Sequence, residues 1–260
     1  MTVLSIDCEE YGDKSAPVIV FLHGGGVSGW MWDKQVAYFS NYHCIVPNIK
    51  INGNGKPFSI SGYAEELISF LKGKVNERKI TLVGFSLGAQ IVIEILSLAP
   101  NLIKKAIINS ALVKPMPITK LLIGPTIKLT SWLPKNKRFS RLQAKELYIG
   151  EGYFEQYYKE TKKMKSKSIV KMLHENLSYS LPSKFCHSKG KILATVGEKE
   201  KQIMKESLYR ILESNPCTKG VIIPHIGHGF PFAFPQLFNQ TVEAWILDRP
   251  LPGELKIINE

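Results

Sequence analysis

The chain has 260 residues, of which 44% are hydrophobic, 22% charged and 10% aromatic, enough to bury a sizeable core and unlike an intrinsically disordered chain. Lys and Arg outnumber Asp and Glu by 34 to 22, a net charge of +12, yet no apolar run reaches the roughly 18 to 20 residues that a membrane span needs. Asp7, Glu9 and Glu10 stand where a signal peptide would be apolar, so a cytoplasmic protein is expected, built as one large domain or one domain carrying an insert.

In chain order, the first strong signal is the apolar run Val18–Leu22, which reads as a parallel strand buried on both faces. A helical pattern over Asp33–Phe39, a strand at Cys44–Val46 and a helix over Tyr63–Leu71 follow. Next come a strand at Ile80–Val83, a helix over Ala89–Leu98 and a strand at Ala106–Ile108. After a break, strands at Ile192–Val196 and Val221–Ile223 alternate with helices over Lys201–Leu212 and Leu237–Leu247. Strands alternating with helices of about 10 to 15 residues predict an α/β fold, with a mostly parallel sheet covered on both faces.

The break runs from Val113 to Gly190. It carries 16 Lys and Arg against 5 Asp and Glu, so +11 of the net +12 lies there, and it reads as several short helices punctuated by Pro115, Pro117, Pro125, Pro134 and Pro182. Lys outnumbers Arg 29 to 5 in the chain, so the excess can be a solvated surface. Alternatively the segment meets an anionic lipid or an acidic substrate, because Ile118, Leu121, Leu122, Ile127, Leu129, Trp132 and Leu133 interleave with Lys120 and Lys128. Nucleic acid is not expected, as no binding motif accompanies the charge.

Cys8, Cys44, Cys186 and Cys217 are widely spaced without a C-x-x-C pair, which argues against a zinc site, a redox dithiol or a disulfide framework. No His, Cys and carboxylate cluster has ligand spacing, so neither a metal nor an organic cofactor is expected.

The chemistry concentrates in Gly84-Phe85-Ser86-Leu87-Gly88, with a strand pattern from Lys79 to Val83 running in and a helix pattern from Ala89 running out. A strand turning sharply into a helix strains the central residue, and flanking glycines remove the side chains that would collide there. The Ser86 hydroxyl is thereby lifted above the sheet. A second element, His23-Gly24-Gly25-Gly26, follows the run Val18–Leu22. Glycines at Gly24, Gly25 and Gly26 let backbone approach a carbonyl closely, and the N–H groups of Gly25 and Leu87 are the candidate donors to an oxyanion. A phosphate cradle is disfavoured, since neither G-x-x-x-x-G-K-[ST] nor a G-x-G-x-x-G opening a helix occurs.

The ordered set of HGGG after a strand, GFSLG at a strand-to-helix elbow and Gly227-His228-Gly229 near the C-terminus resembles the α/β-hydrolase superfamily, in its serine-nucleophile, esterase- and lipase-like branch. The resemblance runs from about Ser5 to Leu247. It implies a core of residues 1–112 and 190–260, with residues 113–189 as a helical cap over the site. Ser86 matches the family's nucleophile and His228 its general base, with His225 the competing histidine; His23 is expected to anchor the oxyanion loop. The acid departs from the pattern. Where relatives commonly carry G-x-x-D, this chain has Gly197-Glu198-Lys199-Glu200, so Glu200 stands at the position of the usual Asp and Glu198 is the alternative. Relatives that draw the acid from the strand before the cap offer no other candidate, because Pro100 to Lys145 contains neither Asp nor Glu.

A serine at the elbow, not an aspartate, implies acyl transfer through a covalent ester, most simply hydrolysis of a carboxylic ester in a small-molecule acyl substrate. A C–C bond hydrolase or lyase acting on a ketone, or a weakly catalytic ligand-binding protein on the same fold, are the alternatives. Phe85, Trp30, Trp132, Tyr148, Tyr153 and Phe154 are aromatic candidates for the pocket wall or for plain core.

Overall fold

A computed structural model describes residues 6–51, 58–75, 78, 80–130 and 133–258. Lys79, Trp132 and the first five residues, which entered the sequence reading, lie outside the described residues. The sheet is built of β1 (Cys8–Tyr11), β2 (Val18–Leu22), β3 (His43–Pro47), β4 (Ile80–Phe85), β5 (Ile103–Asn109), β6 (Lys191–Gly197), β7 (Thr218–Ile223) and β8 (Lys256–Ile258). Across the sheet the order is β1-β3-β2-β4-β5-β6-β7-β8. The six inner strands are parallel, and β1 and β8 close the two edges antiparallel.

Side chains alternate across a strand, so a sheet covered on both faces buries nearly every residue of its inner strands. In β2, Val18, Val20 and Leu22 enter one apolar cluster, while Ile19 and Phe21 enter the other. The first cluster is covered by α2 (Ile60–Lys74), α3 (Leu87–Leu98) and α8 (Gln202–Ser214), through side chains such as Leu67, Ile91 and Leu208. On the second face lie α1 (Asp33–Tyr38), with Trp32 and Phe39 at its ends, the short α9 (Phe230–Ala233), with Phe230, and α10 (Pro235–Ile246), with Phe238 and Val242.

Among the described residues, the one lysine that this packing buries inside the sheet finds partners. Lys105, inside β5 and almost fully buried, donates to the carbonyls of Trp245 and Ile246 at 2.9 and 2.7 Å and pairs with Asp248 at 2.6 Å. A cation there satisfies the orphan carbonyls at the end of α10.

Between β5 and β6 the chain leaves the sheet as α4 (Pro117–Thr130), α5 (Lys137–Glu146), α6 (Glu151–Lys163) and α7 (Ser166–Ser178), with no strand among the described residues of this stretch. Buried polar contacts hold these helices to the core. Gln90 of α3 donates to the carbonyls of Leu112 and Asn176 at 2.7 and 3.0 Å, and the Asn176 amide donates back to Gln90 Oε1 at 3.0 Å. Glu160 of α6 accepts from Ser28 Oγ at 3.0 Å and from Trp30 Nε1 at 2.9 Å. Glu175 of α7 accepts the Ile60 N–H at 3.0 Å, an anion at the positive end of α2, whose N-cap Ser59 accepts from Gly62. Among the described residues no helix is long and apolar enough to cross a membrane.

Candidate active site

The residues singled out by motif converge at the carboxyl ends of the parallel strands, where ligands bind in open α/β sheets. Ser86 follows β4, His23 follows β2, Glu200 follows β6 and His228 follows β7. Ser86 sits at φ +54°, ψ −113°, a conformation that costs a non-glycine residue on the order of 1 to 3 kcal/mol. Its neighbours fix the bend. A Cβ at Gly88 would lie 2.2 Å from the Leu22 carbonyl oxygen, and one at Gly84 would lie 2.5 Å from the Gly88 carbonyl oxygen. Only bare backbone lets α3 start this close to β2. The Ser86 N–H donates to Asn109 O at 2.9 Å, tying the elbow to β5. Leu87 begins α3, so its N–H has no partner within the helix and points with the helix's positive end toward the site.

From Ser86 a continuous hydrogen-bonded line runs inward. Ser86 Oγ lies 2.9 Å from His228 Nε2, and His228 Nδ1 lies 2.7 Å from Glu200 Oε2. With Nδ1–H donating to the carboxylate, Nε2 is the acceptor for the serine proton. The other oxygen of Glu200 accepts from Ser110 Oγ at 2.7 Å and from the Gly197 N–H at 2.9 Å. Burial resists ionisation of Glu200, but the bonds from His228, Gly197 and Ser110 outweigh it and hold the carboxyl below its usual range. Glu198 turns away: it accepts the His225 N–H at 2.9 Å and pairs with Lys256 at 2.5 Å. Those two bonds push its pKa down to about 2. His225 is largely exposed beside Glu198.

Two residues at this site carry no motif. Ser110, at φ +57° directly after β5, occupies the place where the sequence offered no acid, and supplies a hydroxyl to Glu200 instead. Tyr148, in the turn between α5 and α6, accepts the Gly227 N–H at 2.8 Å and so braces the loop that carries His228. The Phe85 ring packs 5.0 Å from that of His228.

His23 is buried. The Ile49 N–H donates to its Nε2 at 2.9 Å, which leaves Nδ1–H to donate to Gly24 O at 2.8 Å and fixes the chain entering Gly24–Gly26. Burial lowers its pKa to about 4, so the ring is neutral. In the unfolded chain it would take up a proton near pH 6.5, so the stability it contributes is complete above that pH and is lost as the pH falls toward 4. That loss is expected to approach about 3 kcal/mol. Denaturant titrations at successive pH values should show His23→Gln losing about one proton from the wild type's uptake on unfolding in this window; an unchanged slope would refute the assignment.

A cavity of about 310 Å³ opens beside Gly24–Gly26 and Leu87, with Met164, Ser168 and Met172 of the helical stretch on its far wall. Met172 lies against the loop so closely that a Cβ at Gly25 would come within 2.8 Å of its sulfur. Trp30 stacks on Tyr153 at 5.4 Å, Phe154 is buried against Tyr158, and neither these nor Tyr148 and Phe85 line this cavity. Among the described residues no group of three or more His, Cys, Asp or Glu could hold a metal ion.

Residues 17–138 match the family model for the alpha/beta hydrolase fold. Methylesterase 18 of Arabidopsis thaliana is 29% identical over 122 residues, covering 44% of this chain and 46% of that protein. The chain spans less than half the length of the curated relatives it matches. A carboxylesterase structure from Nitrososphaera gargenis superposes with a TM-score of 0.76 at 14% identity, covering 94% of each chain. The carboxylesterase of Bacillus subtilis superposes at 0.71 with 19% identity, covering 94% of this chain and 88% of that one. Sheet order, elbow, family match and structural neighbours agree on the class of architecture: the chain has the α/β-hydrolase fold.

Proposed function

We propose that the protein is a serine hydrolase that cleaves a carboxylic ester through an acyl-enzyme on Ser86. The observation that carries this reading is the unbroken line from Ser86 Oγ through His228 to Glu200, at 2.9 and 2.7 Å. Ser86 Oγ attacks the ester carbonyl as its proton passes to His228 Nε2, and the carbonyl π pair moves onto oxygen. The N–H groups of Gly25 and Leu87 receive that oxyanion. The tetrahedral adduct collapses, the C–O bond to the alcohol breaks, and the alkoxide takes the proton from His228. Water then attacks the acyl-enzyme, again giving up its proton to His228; the second adduct collapses, the bond from the acyl carbon to Ser86 Oγ breaks, Oγ takes the proton back from His228, and the acid leaves. Glu200 remains ionised throughout, holding the tautomer and stabilising the imidazolium. The α4–α7 stretch acts as a lid that shapes the acyl or alcohol pocket. The names of the relatives, methylesterase and carboxylesterase, support an ester as substrate class.

A fluorophosphonate probe tests this directly. One equivalent should attach per chain, with the added mass on the peptide containing Ser86, since only an activated serine reacts at a useful rate. A protein that stays unlabelled, or that is labelled elsewhere, would rule the reading out.

A further inference from the structure

We propose that the outer face of α4 is a docking surface for anionic lipid bilayers. Most large apolar side chains that reach the surface are scattered and roughly two-fifths exposed, but four on this one helix are far more so: Ile118 at 76%, Leu121 at 78%, Leu122 at 59% and Leu129 at 79%. At 100° per residue they fall, with Pro125, within an arc of about 100°. The opposite side carries Ile123, which is buried, and packs on α7. A stripe of this width normally faces a core; here it faces outward.

Charge selects the occupant. α4 carries Lys120 and Lys128 and no acid, and Lys128 lies at one border of the stripe. α7, beneath it, carries Lys167 and Lys171 and one acid, Glu175, whose carboxylate is already engaged at the start of α2. From Pro100 to Lys145 the sequence has no Asp or Glu. A second copy on this face would bring lysines against lysines. The stripe, about 21 Å by 10 Å, also falls well short of the roughly 800 Å² per partner that a stable specific dimer buries. An apolar strip on a helix whose only charges are lysines is what a helix lying in the headgroup region of an anionic bilayer needs, and 14 residues are too few to span one. Because α7 carries Met172 against the Gly24–Gly26 loop, a bilayer on α4 would lie one helix away from the cavity.

Sedimentation with vesicles of phosphatidylcholine, alone or with about 30 mol% phosphatidylglycerol, tests this. The wild type should pellet with the mixed vesicles, at least about tenfold more weakly with neutral ones, and likewise when salt rises from about 0.05 to 0.5 M. Leu121→Asp with Leu129→Asp should remain in the supernatant with an unchanged melting temperature, since both side chains are exposed. Ser86→Ala should pellet like the wild type, so the outcome is independent of ester hydrolysis. The proposal is overturned if the wild type fails to pellet with mixed vesicles at low salt, or if the double variant still pellets. It is equally overturned if light scattering shows a dimer that the double variant dissolves, for then a second copy occupies the face.

Discussion

Ser86→Ala is expected to lower kcat on an activated aryl ester by at least about 10⁴-fold, with KM changed little. The oxyanion donors belong to the backbone and survive the substitution, so residual turnover above the uncatalysed rate is expected from them alone. Stability should move in the other direction. Ser86 occupies φ +54° with its N–H bound to Asn109, a conformation that glycine adopts without strain. Ser86→Gly should therefore lose the same activity and melt no lower than the wild type. Steady-state kinetics and thermal unfolding of the two variants check both halves. Retention of more than about a hundredth of the activity would exclude Ser86 as nucleophile, leaving a mechanism in which the serine only assists.

Glu200→Gln should reduce kcat by about 10³- to 10⁴-fold, whereas Glu198→Gln should remain within about twofold of wild type. The amide of glutamine is uncharged and can present its NH₂ to His228 Nδ1, favouring the wrong tautomer and failing to stabilise the imidazolium. Glu198 has no such contact; its partners are Lys256 and the His225 N–H. Ser110→Ala removes one of the two donors to Glu200 Oε1 but leaves the Gly197 N–H, so a drop of about tenfold in kcat at constant KM is expected. Equal losses in the two glutamine variants would mean that the carboxylates act together.

The parallel core was legible because its strands are buried on both faces and therefore read as unbroken apolar runs. β1 and β8 were not, for the opposite reason. The first, Cys-Glu-Glu-Tyr, alternates between half-buried and exposed at one sheet edge, and the second has three residues at the other. Neither carries the apolar run that marked the inner strands. Ser86, His228 and the Gly24–Gly26 loop could be read from local motifs, since each depends on its own turn. The choice between Glu198 and Glu200 depended on distant partners: Lys256 lies 58 residues beyond Glu198, and Ser110 lies 90 residues before Glu200. Tyr148 is likewise 79 residues from the loop it braces. Of the aromatic residues considered for the pocket wall, Trp30 stacks on Tyr153 and Phe154 packs on Tyr158, while Phe85 packs on His228 and Tyr148 braces the loop that carries it.

The tight fit of α3 against β2 affects how a mutational survey of this protein would look. A single methyl group at position 88 would overlap the oxygen of residue 22, so every replacement there must push the elbow outward. Positions 84 and 88 would consequently be as depleted under selection as position 86 itself, although neither supplies a reacting atom. Intolerance along this pentapeptide would chart the clearance between two main chains, and only the residues whose loss leaves folding intact would reveal the chemistry.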